Sequence, residues 1–304
     1  MKKIFFVDSD YIGSRLDRWI RKKIIDLPQS LIEKSIRKGK IKVNFKKEKS
    51  SYKLRKNDVI AFFDFNFVAN KTKKVTAKYK PTRKEISSST GMFIENNENF
   101  AVINKPPGIS VQSGTKSIRN IIDILKNSKE FTNSSPYPVH RIDKETTGIL
   151  LVAKNRKYAQ LLTTLFRIRK IHKTYLGIVI GELKNKVGTF NDVLFYYENK
   201  KRIESKAITH FKVLDTNNNY SLLKLNPQTG RKHQLRKQLL LRGHPILGDT
   251  KYRITNNKHN KNTFLMLHAY KINFSINNVR YNFVAKPPFY FDKVLREKYL
   301  KISF

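Results

Sequence analysis

His140-Arg141-Ile142-Asp143-Lys144-Glu145-Thr146-Thr147-Gly148 runs directly into Ile149-Leu150-Leu151-Val152-Ala153-Lys154. The apolar run from Ile149 to Ala153 is short, unbroken and rich in branched residues, as in a strand buried on both faces. Upstream, Pro136 and Pro138 bias their predecessors toward extended backbone, so no helix is expected there. Gly148 punctuates the segment again. Asp143 therefore falls in a loop just ahead of a core strand, where a rigid scaffold can hold a reactive group. His140, Arg141 and Lys144 surround it with positive charge, which favours the ionised carboxylate. Such a carboxylate can attack a sugar carbon or accept a proton. On its charges alone a structural role is the preferred reading, Asp143 ending a strand and satisfying turn amides, because structural ion pairs perturb carboxylates as readily as catalysis does.

The rest of the composition narrows the setting. The chain has 304 residues, room for two domains. Its 63 Lys plus Arg against 23 Asp plus Glu leave a formal charge of +40. An excess of that size points to a polyanionic partner, with nucleic acid ahead of a membrane surface. No apolar run approaches the ~18 residues needed to span a bilayer. Met1 to Val7 imitates the start of a signal peptide, but Asp8 ends the apolar run too early. The chain has no cysteine, which excludes disulfides and thiolate metal sites. A cytoplasmic, monomeric protein without a membrane partner is the simplest expectation.

Residues 1–13 supply a lead strand and residues 14–62 a first unit. Leu16, Trp19, Ile20 and Ile24 recur at helical spacing; Leu31, Ile32 and Ile36 define a second helix, with Ser30 as its N-cap and Gly39 as its stop. Ile41, Val43 and Phe45 alternate with polar residues, as in a half-buried strand, and a further strand spans Asp58 to Phe63. Between Ser14 and Ile60, 16 Lys plus Arg stand against 5 Asp plus Glu, a net +11 in 47 residues and denser than the chain average. Residues 63–90, with many lysines and few apolar anchors, suggest a basic linker. A larger unit then fills residues 91–304. Phe100 to Ile103 and Lys173 to Val179 have the pattern of strands, Ile118 to Leu125 and Tyr158 to Arg169 that of helices. In Thr229-Gly230-Arg231-Lys232-His233-Gln234-Leu235-Arg236 a helix is expected to rise from Thr229, with Leu235, Leu239 and Leu240 on its apolar face and Gly243 and Pro245 at its end. A helix N-terminus is a natural anion site.

Together these stretches carry a resemblance. The Asp143 segment with the strand behind it is similar to the active-site signature of the RluA family of RNA pseudouridine synthases. Asn104-Lys105-Pro106, Lys173-Thr174-Tyr175, the Thr229 to Arg236 motif and the His244 to Asp249 segment resemble further motifs of that family. Gln238 stands where the family often has a histidine. Ser14 to Trp19 and Pro28 to Asn44 resemble the small RNA-binding domain first seen in ribosomal small-subunit protein four. The motifs cover residues 14–62 and roughly 93–292. The domain order is most similar to the RluC and RluD branches, with RluC slightly preferred.

What the resemblance implies is specific. The fold would be α+β: a mixed, mainly antiparallel sheet with flanking helices and a central cleft, preceded by a small α/β RNA-binding domain. The activity would be isomerisation of uridine to pseudouridine, most readily in large-subunit (23S) ribosomal RNA, with neither cofactor nor metal. Asp143 would be the catalytic carboxylate and Tyr175 an active-site aromatic able to stack on a flipped base. An arginine would pair with Asp143, Arg236 first and Arg231 second. Arg141 would fill the space that the flipped base leaves. His140 and Arg231 would join it on the RNA, while Arg15, Arg18, Ser30, Arg37, Lys38 and Lys40 would face phosphates. Two alternatives stand beside this: a synthase acting on tRNA, and a non-catalytic RNA-binding or ribosome-assembly factor on the same scaffold.

Overall fold

The computed structural model describes residues 2–25, 27–64, 79–113, 117–198, 201–217, 219–254 and 264–303. They form two compact units, Met1–Thr76 and Ala77–Phe304.

In the smaller unit, β1 (Lys3–Phe6), α1 (Leu16–Trp19), α2 (Gln29–Arg37), β2 (Ile41–Val43) and β3 (Val59–Phe62) follow in order. The strands pair antiparallel in the order β1-β3-β2. Leu16, Trp19, Ile20, Ile32 and Ile36 bury one helical stripe against Ile41, Val43, Ile60 and Phe62, which is why the helical spacing was there. Two local expectations fail. Helix α2 starts at Gln29 behind Pro28, so Ser30 lies inside it, exposed, and caps nothing. Strand β2 ends at Val43, because Asn44 and Phe45 turn the chain with φ of 46° and 62°. Asn44 suits that left-handed position and its Oδ1 accepts the Val59 N–H.

The larger unit runs α3 (Arg83–Ser89), β4 (Phe93–Asn96), β5 (Phe100–Lys105), α4 (Ile121–Lys126), β6 (Tyr137–Pro138), β7 (Thr147–Ala153), α5 (Arg156–Arg167), β8 (His172–Ile180), β9 (Val187–Glu198), β10 (Lys201–Asn217), β11 (Tyr220–Pro227), α6 (Gln234–Leu241), β12 (Leu267–Ile276), β13 (Val279–Val284) and α7 (Phe289–Glu297). A ten-stranded sheet is ordered β4-β5-β7-β12-β8-β11-β10-β9, with β13 on β12 and β6 on β7. Among the described residues every pairing of these strands is antiparallel except β7 with β12. The expected α+β class with a mixed, mainly antiparallel sheet is the one found.

Strand β7 shows why its sequence is unbroken. Ile149, Leu151 and Ala153 face a layer with Leu162 of α5, while Leu150 and Val152 face Ile121, Ile124 and Leu125 of α4. Successive residues point to opposite faces, and both faces are covered. Gly148 lets β7 approach β12: its φ is +101°, and a Cβ there would lie 2.3 Å from the Ala269 carbonyl oxygen.

The linker expected over 63–90 gives way at its end to helix α3. Thr82 and Glu85 form a capping box there, and Glu85 also binds Arg119 at 2.7 Å. Residues 65–78 lie outside the described residues. No helix among the described residues is long and apolar enough to cross a membrane.

Candidate active site

Asp143 sits in the loop before β7, as its neighbours in sequence require. Three ties hold that loop. Ile142 is buried in the core layer beside α4. The Thr146 N–H bonds to the Asp143 carbonyl at 3.2 Å. Lys105, at the end of β5, is fully buried and donates its Nζ to the carbonyls of Pro106, Ile109 and Lys144. Burial pushes this ammonium down to about 7, and the three carbonyls take up its three donors.

The loop opens into a cavity of about 850 Å³ between the ends of β7, β8 and β11 and the start of α6. Asp143 is the one acidic residue lining it among the described residues. Seven cations line it with Asp143: Arg141, Arg167, Arg169, Lys173, Arg231, Lys232 and Arg236. Burial, and secondarily the charge of Arg169, lowers the Lys173 ammonium. Ile142, Leu235 and Leu267 supply apolar wall.

Helix α6 does not rise from Thr229. It begins at Gln234, after His233 in a left-handed conformation (φ 54°, ψ 34°). The segment before it is held to β10: the Thr229 Oγ1 accepts the Ile208 N–H, and the Ile208 carbonyl accepts the Gln228 N–H and the Gln234 amide. The later start puts Arg236 in the first turn. Its Nε and Nη2 make a two-point bond to buried Asp249, each at 2.7 Å, and Nη1 lies 3.5 Å from the Asp143 Oδ2. Burial works against this guanidinium, but Asp249 outweighs it and the pKa is raised. The other candidate partner, Arg231, instead donates its Nε to the Lys206 carbonyl. On the opposite oxygen of Asp143, His233 Nε2 stands 3.8 Å away.

Tyr175 of β8 packs between the two core layers and lines the cavity. Burial first, and then the charge of Asp143, raises its phenol, so it is protonated at neutral pH. His140 lines the cavity as well, but not as the cation expected. Its Nε2 accepts the Leu151 N–H at 2.8 Å and its ring stacks on Phe166 at 4.5 Å. Burial pushes it down to about 3, which makes it a neutral part of the scaffold. Arg141 is exposed at the cavity wall. In the smaller unit Arg18, Arg37 and Lys38 are exposed, while Lys40 donates to the Asp64 carbonyl and Arg15 forks onto buried Asp17. Gln238, in the place of the family's frequent histidine, is buried and bonds Thr209, Asp192 and the Ala207 carbonyl. It fastens α6 to the β9–β10 hairpin.

Sequence reading assigned no role to His233, Asp249, Tyr252 or Lys105, although three of them stand in quoted motifs. Asp249 accepts the Lys251 and Tyr252 N–H groups as well as Arg236, so one carboxylate orders the arginine and the turn beside it. Its signals were its place at the end of the His244 to Asp249 segment and its rarity, an acid in a chain with 23.

A lone carboxylate in a cationic cavity, faced by an arginine and lined by a half-buried tyrosine, is a site for chemistry on one unit of a polyanion. Comparison with known proteins agrees. Residues 99–241 match the model of the RNA pseudouridylate synthase family, and residues 14–60 that of the S4 domain. The chain belongs to the RNA pseudouridine synthases. The ribosomal large subunit pseudouridine synthase C of Rickettsia felis is 34% identical over 298 residues, covering 92% of this chain and 95% of the relative. That of Vibrio vulnificus is 31% identical over 285 residues, covering 90% and 88%. Human RNA pseudouridylate synthase domain containing 4 superposes with a TM-score of 0.62 at 27% identity, covering 71% of this chain and 96% of its own.

Proposed function

We propose that this pseudouridine synthase acts on uridines of large-subunit ribosomal RNA, with Asp143 as its catalytic carboxylate. The observation that carries the assignment is the cavity: a single carboxylate among seven cations, with Arg236 facing one of its oxygens. The named relatives, ribosomal large subunit synthases over nearly the whole chain, favour ribosomal RNA over tRNA as substrate. A scaffold that only bound RNA would have no use for a buried Asp249–Arg236 pair aimed at Asp143.

The reaction breaks the bond between ribose C1′ and uracil N1, turns the base, and joins C1′ to C5. No atom enters or leaves apart from a proton exchanged between C5 and N1. The target base is first extruded from the folded RNA, at a cost of a few kcal/mol. Arg141 at the cavity wall is placed to enter the vacated stack, and Tyr175 to lie against the flipped base. Arg236 holds Asp143 charged and aimed, with Asp249 fixing the fork. The apolar wall of Ile142, Leu235 and Leu267 keeps water from the sugar, which favours rejoining over hydrolysis. Arg18, Arg37 and Lys38 on the smaller unit grip phosphates and add affinity without base choice. We take the working unit to be a monomer acting on its RNA in the cytoplasm, a reading supported by one chain supplying the whole constellation.

Asp143→Asn tests the reading. The amide keeps the shape but is neither nucleophile nor base. Tritium release from RNA carrying 5-tritiated uridine should cease while RNA affinity changes less than about threefold. Activity within tenfold of wild type would remove Asp143 from the mechanism.

A further inference from the structure

His233 on the same cavity wall, paired with Tyr252, is left unused by the roles above. His233 Nδ1 is 2.8 Å from the Tyr252 hydroxyl, and the rings meet edge to face at 5.4 Å. His233 Nε2 faces the Asp143 Oδ1 across 3.8 Å, too long for a hydrogen bond and open to the cavity. The geometry selects the tautomer. Were Nδ1 to carry the proton, the bare lone pair of Nε2 would confront a carboxylate oxygen. With Tyr252 O–H donating to Nδ1, Nε2–H points at the carboxylate instead. The backbone of His233 is held in the left-handed region, uncommon for a residue with a side chain. That conformation is what turns the imidazole into the cavity ahead of α6.

We propose that His233, its tautomer set by Tyr252, is the catalytic residue that carries the proton from uracil C5 to N1. The proposal rests on the pseudouridine synthase reading of this cavity with Asp143 at the reacting bond. Once C1′ is bonded to C5, that carbon still holds its hydrogen, and N1, freed of the sugar, lacks one. Nε2–H gives its proton to N1 while Nδ1 takes the Tyr252 hydroxyl proton, so no imidazolate forms. The bare Nε2 then takes the proton from C5, whose C–H electron pair closes the C5–C6 double bond of the ring, and Nδ1 returns its proton to Tyr252. The imidazole ends as it began, so the exchange balances without a co-reactant. A group 3.8 Å from the carboxylate that addresses the same nucleotide lies within reach of the base.

The electrostatics suit a neutral imidazole. Burial lowers the His233 pKa, helped by Arg236, Lys251 and Lys232 and opposed by Asp143. Burial also raises the Tyr252 phenol, which stays a donor at neutral pH.

Single-turnover kinetics on ribosomal RNA containing 5-deuterated or 5-tritiated uridine test the proposal. His233→Asn tolerates the left-handed backbone, and His233→Gln and Tyr252→Phe are second and third variants; thermal melts confirm each fold. The expected result for both His233 variants is a rate lower by roughly 100-fold or more, with RNA affinity within about threefold. Slower C5–H cleavage should raise the isotope effect at C5, and the acid limb that His233 imposes on the wild-type pH profile should vanish. Tyr252→Phe, which loosens the tautomer, should lower the rate about tenfold and leave affinity unchanged. A folded His233→Asn chain that turns over within threefold of wild type would overturn the proposal. So would a rate loss that saturating RNA restores, with an unchanged isotope effect. Wild-type protein that releases no tritium at all would overturn the underlying reading instead, and the proposal with it.

Discussion

Arg236 is where the chemistry of single residues is most exposed to test. Its Nε and Nη2 are committed to Asp249 and its Nη1 lies near Asp143, so it is expected to serve position more than RNA affinity. Arg236→Met removes charge and keeps length. The single-turnover rate is expected to fall sharply while RNA binding changes by less than about 1.4 kcal/mol, a factor of ten. If affinity falls and the saturated rate is kept, Arg236 is a phosphate contact. A second residue-scale outcome concerns pH. His268 is buried, its Nδ1 bonded by the Thr147 hydroxyl and its Nε2 donating to the Ala285 carbonyl. Burial pushes it down to about 4 from the ordinary 6.5, as it pushes His140 to about 3. Both are neutral when folded and take up a proton when unfolded. Their contribution is therefore complete above about pH 6.5 and is lost as pH falls toward the folded values, on the order of 3 kcal/mol for His268. Urea midpoints followed by far-UV circular dichroism from pH 7 to 4 should fall, and His268→Gln should flatten the fall. A midpoint independent of pH in that range would refute the neutral assignment.

At the scale of elements, the site depends on β7 standing close to β12. The only parallel strand pairing among the described residues joins Thr147 and Gly148 to His268 and Ala269, beginning four residues beyond Asp143. Gly148→Ala would press a methyl carbon into the Ala269 carbonyl and hold a side chain at a φ of +101°. The atoms it would meet all belong to the Ala269 backbone and not to a flexible side-chain end that could yield, so the strands must part. A loss of more than about 3 kcal/mol is expected. Activity should fall further than stability alone dictates, since the Asp143 loop leads into that pairing. Unchanged melting would show that the backbone relaxes more easily than its packing suggests. Helix α6 is the other element the site hangs on. Gln234 and Gln238 fasten it to β10, and Arg242 forks onto Asp192 at 3.1 Å on each oxygen. The long β9–β10 hairpin thus supports the arginine that faces Asp143.

Across the whole molecule, charge and core are divided between two units. Between Ser14 and Ile60 the net charge is +11, and Arg18, Arg37 and Lys38 there are exposed. The smaller unit has its own core around Trp19. Deleting residues 1–62 is expected to leave the larger unit folded but to weaken RNA binding and flatten its salt dependence. Each lost phosphate contact should lower the slope by roughly 0.7 to 0.9. An unchanged slope on ribosomal RNA would make that face a solubility device.

What the amino-acid order determined by itself is what neighbours in sequence control. Ile149 to Ala153 had to be a strand covered on both faces, because five successive apolar residues leave no face for water. Asp143 had to precede it in a loop, and the excess of cations had to seek a polyanion. Contacts between distant residues leave no such periodic trace, and these only the tertiary structure decided. The start of α6 moved from Thr229 to Gln234 because Ile208, on another strand, takes the intervening backbone's bonds. His140 lost its charge because Leu151 and Phe166 enclose it. Arg236, not Arg231, reached Asp143 because Asp249 fixes one fork while Lys206 draws the other away. The pairing of His233 with Tyr252 needed the turn that Asp249 ties. In each case a hydrogen bond across the fold overrode what local spacing preferred, since a buried polar group left unpaired costs more than a shifted helix boundary.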